Sequence, residues 1–537
     1  MDPKITLTRR AGMALAASFA AVPVMGLSGT AEAATPVRGG TMIYGRYADS
    51  LFLDPVLTDA NVDIWVMNNL YDTLLLPTEN GLGLQPGLAT KWVVAADGKT
   101  VTLTLREGVK FSNGTPMQAS DVKWSLDRAR NPKNGPWPDL VASIDSVDIA
   151  DPATIVLKLK HPDPSLLAAL ATFNTCILPQ ALFEAAPGTT DEEKAKAFGE
   201  KPVGTGAFML VEWQHGVVMK LARNPYYWKK GADGKPLPYL DALEFPVIPD
   251  DSTRLLKLKA GELHGTEFVP FSRVKELKAD PALRMELWPS TKVNYLGFNV
   301  IPKLKDGSVN PLADLKVRQA LNYAVNKPAV IQVVTQGLGT PMKSFMSVTT
   351  PLHTENVLYK YDLAMAKKLL AESSFPKGFE LSCMMVAGNA DSTNLLTTVQ
   401  QMWSAIGVKL KIEQLDNPSL VKRYRAGDYS MRVSGWTNDI SDPNEITSYF
   451  AYFPNIGSLH SGWDNKKVDA LYEESQQEVV PAKRAEEYKE IQSIYEADAP
   501  ILFLYETPYP VAFRKNALGF VQIPLGNNYF EAAYIAK

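Results

Sequence analysis

The chain has 537 residues, more than one hydrophobic core ordinarily serves, so it is expected to divide into two or three lobes. A hydrophobic fraction of 46% and a charged fraction of 21% describe a globular protein and exclude a disordered or fibrous one. The formal net charge of -3 offers no basic field for nucleic acid.

The N-terminus reads as an address. "MDPKITLTRR" is a basic-ended opening, "AGMALAASFAAVPVMGLSG" is an Ala-rich apolar run, and Ala31-Glu32-Ala33 places small residues where a signal peptidase cuts. Residues 1–33 are therefore expected to be a signal peptide, with the mature chain starting at Ala34. Thr8-Arg9-Arg10 also resembles a twin-arginine start, although Gly12 stands where a bulky residue is usual, so both export routes stay open. The export segment holds no cysteine for a lipid anchor, and no later run of eighteen apolar residues could span a membrane. The two cysteines, Cys176 and Cys383, are far apart and sit in apolar segments, which favours buried free thiols over a disulfide.

Further along, strand-like and helix-like segments alternate, the signature of an α/β fold. "NVDIWVMNNLYDTLL" is helical, with Ile64, Met67 and Tyr71 on one face. Thr100, Thr102 and Thr104 alternate with Val101, Leu103 and Leu105, the period of a half-buried strand. Asn113-Gly114 marks a turn, Ser120 is the expected N-cap of the next helix, and Val122, Leu126 and Ala129 form its apolar face. "KPVGTGAFML" is a Gly-rich turn but fails the dinucleotide fingerprint, because Met209 replaces the third glycine. "ADLKVRQALNYAVNKPAVIQVV" is the clearest helix of a second lobe, and "APILFLYETPYPVAFRK" suggests a chain crossing back to the first.

Chemistry is scarce. The five histidines are scattered, no metal spacing or phosphate loop occurs, and no nucleophile elbow is present. No cofactor or metal is expected. "SGWTNDISDPNEITSYF" stands out instead. Asp442 before Pro443 has the pattern of a helix cap, whereas Trp436 with Asp439 offers apolar area beside a carboxylate that could hold a cation.

"LATKW", "DGKTVTLTLREGVKFSNGTP", "ASDVKWSLDR", "RNPYYW", "LKVRQALNYAVNK", "AIGVKL" and "GWTNDISDP", in this order, resemble the family 5 solute-binding proteins of ABC importers, the peptide- and nickel-binding type. The resemblance implies a two-lobe periplasmic-binding-protein fold of type II with an extra subdomain in the first lobe. Residues 34–75, 201–288 and 503–537 would form the main first lobe, 76–200 the inserted subdomain, and 289–502 the second lobe. In peptide-binding relatives the carboxylate of the G-W-x-x-D segment holds the ligand's α-ammonium. That role falls here on Asp439, with Trp436, Thr437 and Asn438 beside it and Asp59 assisting from the opposite lobe. The region "NADSTNLL" lacks the arginine with which some relatives hold a ligand carboxylate, and His264 replaces a usual acidic residue. The implied protein is a periplasmic receptor, monomeric and not an enzyme, that delivers short peptides to a membrane permease. Nickel chelates, opines or oligosaccharides are alternative cargoes, and an exported carboxylate-dependent hydrolase is the rival class.

Overall fold

Two large sheets organise the chain in this computed structural model, which describes residues 35–58, 60–356 and 359–537. The export segment expected at residues 1–33 lies outside the described residues, as does Asp59. The first sheet has seven strands in the order Leu283–Trp288, Tyr509–Arg514, Gly265–Thr266, Thr41–Gly45, Ala242–Pro246, Val218–Arg223, Phe208–Gln214. Its middle strand, Thr41–Gly45, runs parallel to both neighbours. The second sheet has six strands, Thr340–Pro341, Ile501–Glu506, Val293–Phe298, Met431–Trp436, Phe379–Val386 and Val408–Leu415. A separate antiparallel sheet of four strands is built from residues 89–159. We call the halves built on the two large sheets the first and second lobes.

Local chemistry accounts for the elements. Val101, Leu103 and Leu105 are buried while Thr104 faces solvent, so the alternation sets which face of Thr100–Leu105 packs. The following helix is Ala119–Ala129, and Val122, Leu126 and Ala129 enter the core as expected. Its cap differs from expectation: Gln118, not Ser120, occupies the N-cap position. Asp121 explains the shift, because its carboxylate accepts the Gln118 N–H at 2.8 Å and the Gln180 N–H at 3.0 Å. A serine hydroxyl would tie down fewer donors.

The glycines of "KPVGTGAFML" serve packing. A Cβ on Gly204 would lie 2.1 Å from the Leu70 carbonyl oxygen, and one on Gly206 would lie 2.5 Å from the Leu70 carbonyl carbon. The turn therefore closes directly on the end of the helix Asn61–Leu70, which is buried almost all round. In the second lobe, Leu296, Phe298, Cys383 and Met385 meet Leu395, Val399 and Trp403 in one core. Cys176 belongs to a different cluster, and both thiols are buried and free.

The chain passes between the lobes at residues 289–292 and 507–508, side by side. Ser290 Oγ donates to the Thr507 carbonyl at 2.5 Å, and Asn294 Nδ2 donates to Thr507 Oγ1 at 3.1 Å. This corrects the expected boundary at 503. Ile501–Glu506 is buried at every position because it lies inside the second sheet, paired with Val293–Phe298, so the return to the first lobe comes after Glu506.

Replacing Gly204 by Ala should cost about 1–3 kcal/mol or more, since the clash is with backbone that cannot rotate away. Denaturant unfolding of Gly204→Ala beside the parent measures this; an unchanged midpoint would show the Leu70 contact to be looser than described.

Candidate functional site

The strand Met431–Trp436 sits in the middle of the second sheet and carries Arg432, Ser434 and Trp436 at a period of two, which puts them on one face. Beyond it the chain turns through residues 437–442 into the helix Pro443–Phe450. Asp442 caps that helix by accepting the Asn444 N–H at 2.9 Å, and both its oxygens pair with Arg484, at 2.8 and 2.9 Å. Asp442 is thus structural, as its position before Pro443 suggested.

Glu445 shapes the turn. Its side chain is fully buried, and Oε2 accepts the N–H groups of Asp439 and Ile440 at 2.7 and 3.1 Å. The Asp439 carboxyl lies against it. Burial raises Asp439 to about 7, and burial together with the neighbouring Asp439 charge raises Glu445 well above the ordinary carboxylate range. Two carboxyl groups this close and this dry cannot both ionise, so the pair holds a proton between them at neutral pH.

Trp436 completes the wall. Its ring centroid is 3.9 Å from that of Tyr449 and 5.9 Å from that of Trp137, which follows the helix Ala119–Ala129. The Trp436 indole N–H has no acceptor among the described residues. Thr437 bonds the Tyr509 hydroxyl through its own Oγ1.

Trp436, Thr437, Asp439 and Tyr449 line a cavity of about 310 Å³ between the lobes, inside the range typical of small-ligand pockets. Tyr47, Asn61 and Phe268 face it from the first lobe, and Asp391, Arg432 and Asp439 from the second. Lys292, from the crossing segment, points its ammonium 4.4 Å from the Phe268 ring centroid, and burial lowers it to about 8. Burial raises Asp391 to about 7. The lobes are closed over the cavity by reciprocal polar contacts. Asp251 of the first lobe accepts the Ala390 N–H at 3.0 Å, and Asp391 of the second accepts the Phe271 N–H at 3.4 Å. Nearer Trp137, Asn444 Nδ2 donates to Ser165 Oγ at 2.7 Å and Ser448 Oγ to Asp139 at 3.2 Å.

Of the residues expected at the site, the structure brings Trp436, Thr437 and Asp439 to this cavity. Asn438 is not among them. Its N–H donates to Thr291 Oγ1 and its Nδ2 to Thr350 Oγ1, and it lines a separate, more apolar cavity with Pro351, Ile440 and Pro524. Thr291 and Thr350 hold Asn438 turned away from the cavity that Thr437 and Asp439 line. Sequence reasoning missed Lys292, Asp391, Arg432 and Glu445. Only Glu445 had a local signal, the Asp-x-x-Glu spacing of a capping box, and here its carboxylate turns to the preceding loop instead. Among the described residues no group of three or more His, Cys, Asp or Glu could hold a metal ion, and no helix is long and apolar enough to cross a membrane.

Two lobes joined by paired crossings and closed on a charged, aromatic-walled cavity define a receptor that encloses its ligand. Residues 83–458 match the model of the bacterial extracellular solute-binding proteins, family 5 Middle. The chain belongs to that family, the substrate-binding components of ABC importers. It is 31% identical over 507 residues to the dipeptide-binding protein of Escherichia coli K12, spanning 88% of this chain and 91% of that one. It is 28% identical to the glutathione-binding protein GsiB of Salmonella typhimurium, spanning 93% and 95%. Among solved structures it resembles the periplasmic binding protein DppA of Helicobacter pylori in complex with the peptide STSA, with a TM-score of 0.81, 25% identity, and coverage of 93% and 99%. Membership sets aside the hydrolase alternative, since these proteins bind their solutes without chemistry.

The raised Asp439 value has a consequence for stability. A carboxyl that binds its proton more tightly when folded stabilises the fold fully below its ordinary value of 3.8 and loses that contribution as pH rises through about 7. Asp439→Asn, which does not titrate, should therefore be more stable than the parent at pH 8 by at least about 1.4 kcal/mol, one pKa unit's worth. The gap should shrink toward pH 4. Thermal melts of the ligand-free proteins across this range measure it, and a less stable variant at pH 8 would contradict the buried-pair description.

Proposed function

We propose that this protein captures short peptides outside the cytoplasm, in the periplasm, holding the peptide α-ammonium on the Asp439 carboxylate beside Trp436, and passes them to a membrane permease. The observation that carries this is the Asp439–Glu445 pair: both carboxyl groups are buried, Asp439 lines the cavity wall, and burial raises both so that a proton between them is favoured. A cation entering beside it can displace that proton and turn a destabilised group into an ion pair. The aromatic ring of Trp436 then covers the apolar part of the first residue. The E. coli dipeptide-binding relative and the H. pylori protein with its bound peptide support the same reading.

Titration calorimetry with short free peptides tests it. A charge-assisted hydrogen bond is worth about 1.5–3 kcal/mol, so Asp439→Asn should weaken binding by roughly ten- to a hundredfold while the protein stays folded. The wild-type affinity should also fall by up to about tenfold per pH unit below the Asp439 value of about 7, because the proton must leave first. Above about pH 8 it should fall again as the peptide amine loses its charge. An affinity indifferent to both the substitution and pH would overturn the assignment.

A further inference from the structure

The loop that presents Asp439 has a cavity on each side. The second cavity measures about 590 Å³, larger than the solute cavity and inside the range of small-molecule sites. Both lobes and the crossing between them build it. Trp288, Val521 and Leu525 come from the first lobe, Pro289 from the crossing, and Pro351 and Ile440 from the second lobe. The wall is thus mainly aliphatic, proline and indole surface. Glu79 is the one charged residue on it among those described, and that residue is exposed to solvent.

The polar groups of this wall are largely spent on one another. The Asn438 N–H donates to Thr291 Oγ1 at 3.0 Å, and Asn438 Nδ2 donates to Thr350 Oγ1 at 2.9 Å. Ser290 Oγ donates to the Thr507 carbonyl, and the Thr291 N–H donates to the Pro524 carbonyl at 2.9 Å. A water molecule held in a cavity needs about two to four polar partners, so space walled in this way suits apolar atoms better than water. An ionic group entering it would lose its hydration and gain no partner. The wall therefore selects a neutral, mainly apolar molecule, drawn in by the release of water from apolar surface. Along residues 437–441 the chain divides its side chains between the two cavities. Thr437 and Asp439 line the solute cavity, whereas Asn438, Ile440 and Ser441 line the second. A molecule packed against Ile440 braces the same backbone that holds Asp439, and it does so across both lobes.

We propose that the second cavity is a binding site for a small, neutral, apolar molecule, whose presence favours the closed form and so tightens solute binding. Because residues of both lobes form the wall, the complete site exists only when the lobes are together. A ligand that prefers the closed form shifts the protein toward it. The coupling is reciprocal: solute tightens the second ligand's binding by the same factor, typically about 5- to 150-fold. The site stands on its own wall, and only the coupling rests on the reading of the cleft as the solute site.

Fluorescence titration with N-phenylnaphthylamine, a neutral apolar probe that brightens out of water, tests the site with and without saturating short peptide. The wild type should bind the probe saturably, and peptide should tighten that binding by about fivefold or more. Leu82→Glu and Val521→Glu each set a carboxylate on the wall and should weaken probe binding by about tenfold or more, because the probe would strip water from the charge. Peptide affinity without probe should stay at the wild-type value in both, since neither residue lines the solute cavity. Leu82 is 64% exposed, so Leu82→Glu leaves the fold intact. If Val521→Glu loses the wild-type melting transition, Leu82→Glu alone decides. Absence of saturable probe binding, with and without peptide, overturns the site, and so does full probe binding by folded variants. Displacement of the probe by peptide places it in the solute cleft and overturns the site as well. Probe binding that the variants lose but that ignores a bound peptide overturns the coupling and upholds the site. If no peptide binds, the peptide reading fails, while loss of probe binding in the variants still upholds the second site.

Discussion

Burying the Asp439 carboxyl against Glu445 at the wall of a closed cleft sets the terms for the residues around it. Two carboxyl groups in a dry site can coexist only if one keeps a proton and the other finds donors. Glu445 finds them in the N–H groups of Asp439 and Ile440, and in doing so it folds the turn that presents Asp439 to the cavity. The helix that carries Glu445 must then be fixed in place, which is the work of Asp442 and its pairing with Arg484. One acidic residue faces the cavity, one shapes the loop and one anchors the helix. All three lie within a run of seven residues.

Closure depends on weaker terms. Asp251 and Asp391 each accept a backbone N–H from the opposite lobe, and a few hydroxyl and amide contacts join them near Trp137. A hydrogen bond of this kind contributes about 0.5–1.5 kcal/mol net, so these polar contacts add only a small total to the closed form. The crossings at 289–292 and 507–508 are short and joined side by side by the Ser290–Thr507 bond, so a change of angle between the lobes falls on few residues. A balance this fine is what a receptor needs, since solute can shift it only by its preference for the closed form.

The segment of residues 89–159 that builds the four-stranded sheet reaches further than framework. Its strand and capped helix carry no functional group, but the chain that follows places Trp137 at the seam. The Trp137 indole donates to the Thr58 carbonyl at 2.7 Å in the first lobe, while its ring stacks on Tyr449 of the second at 5.1 Å between centroids. The scaffold thus ends in a contact that joins the two lobes.

The sequence by itself determined what depends on neighbours along the chain. The threonine–aliphatic alternation of residues 100–105 specifies a half-buried strand, and Asp442 before Pro443 specifies a cap, because both effects act within a few residues. The ordered motifs sufficed for the family, and the G-W-x-x-D segment drew attention to Trp436 and Asp439. Only the tertiary structure decided what depends on enclosure. Arg432 reads as one more residue of a strand until the lobes enclose the cavity it lines, and Lys292 reads as a surface lysine until the Phe268 ring closes over it. Asn438, one residue from Asp439, turns into a different cavity because Thr291 and Thr350, distant in sequence, hold it there. The cost of a charge is set by the water removed from around it, and that follows from how distant segments pack.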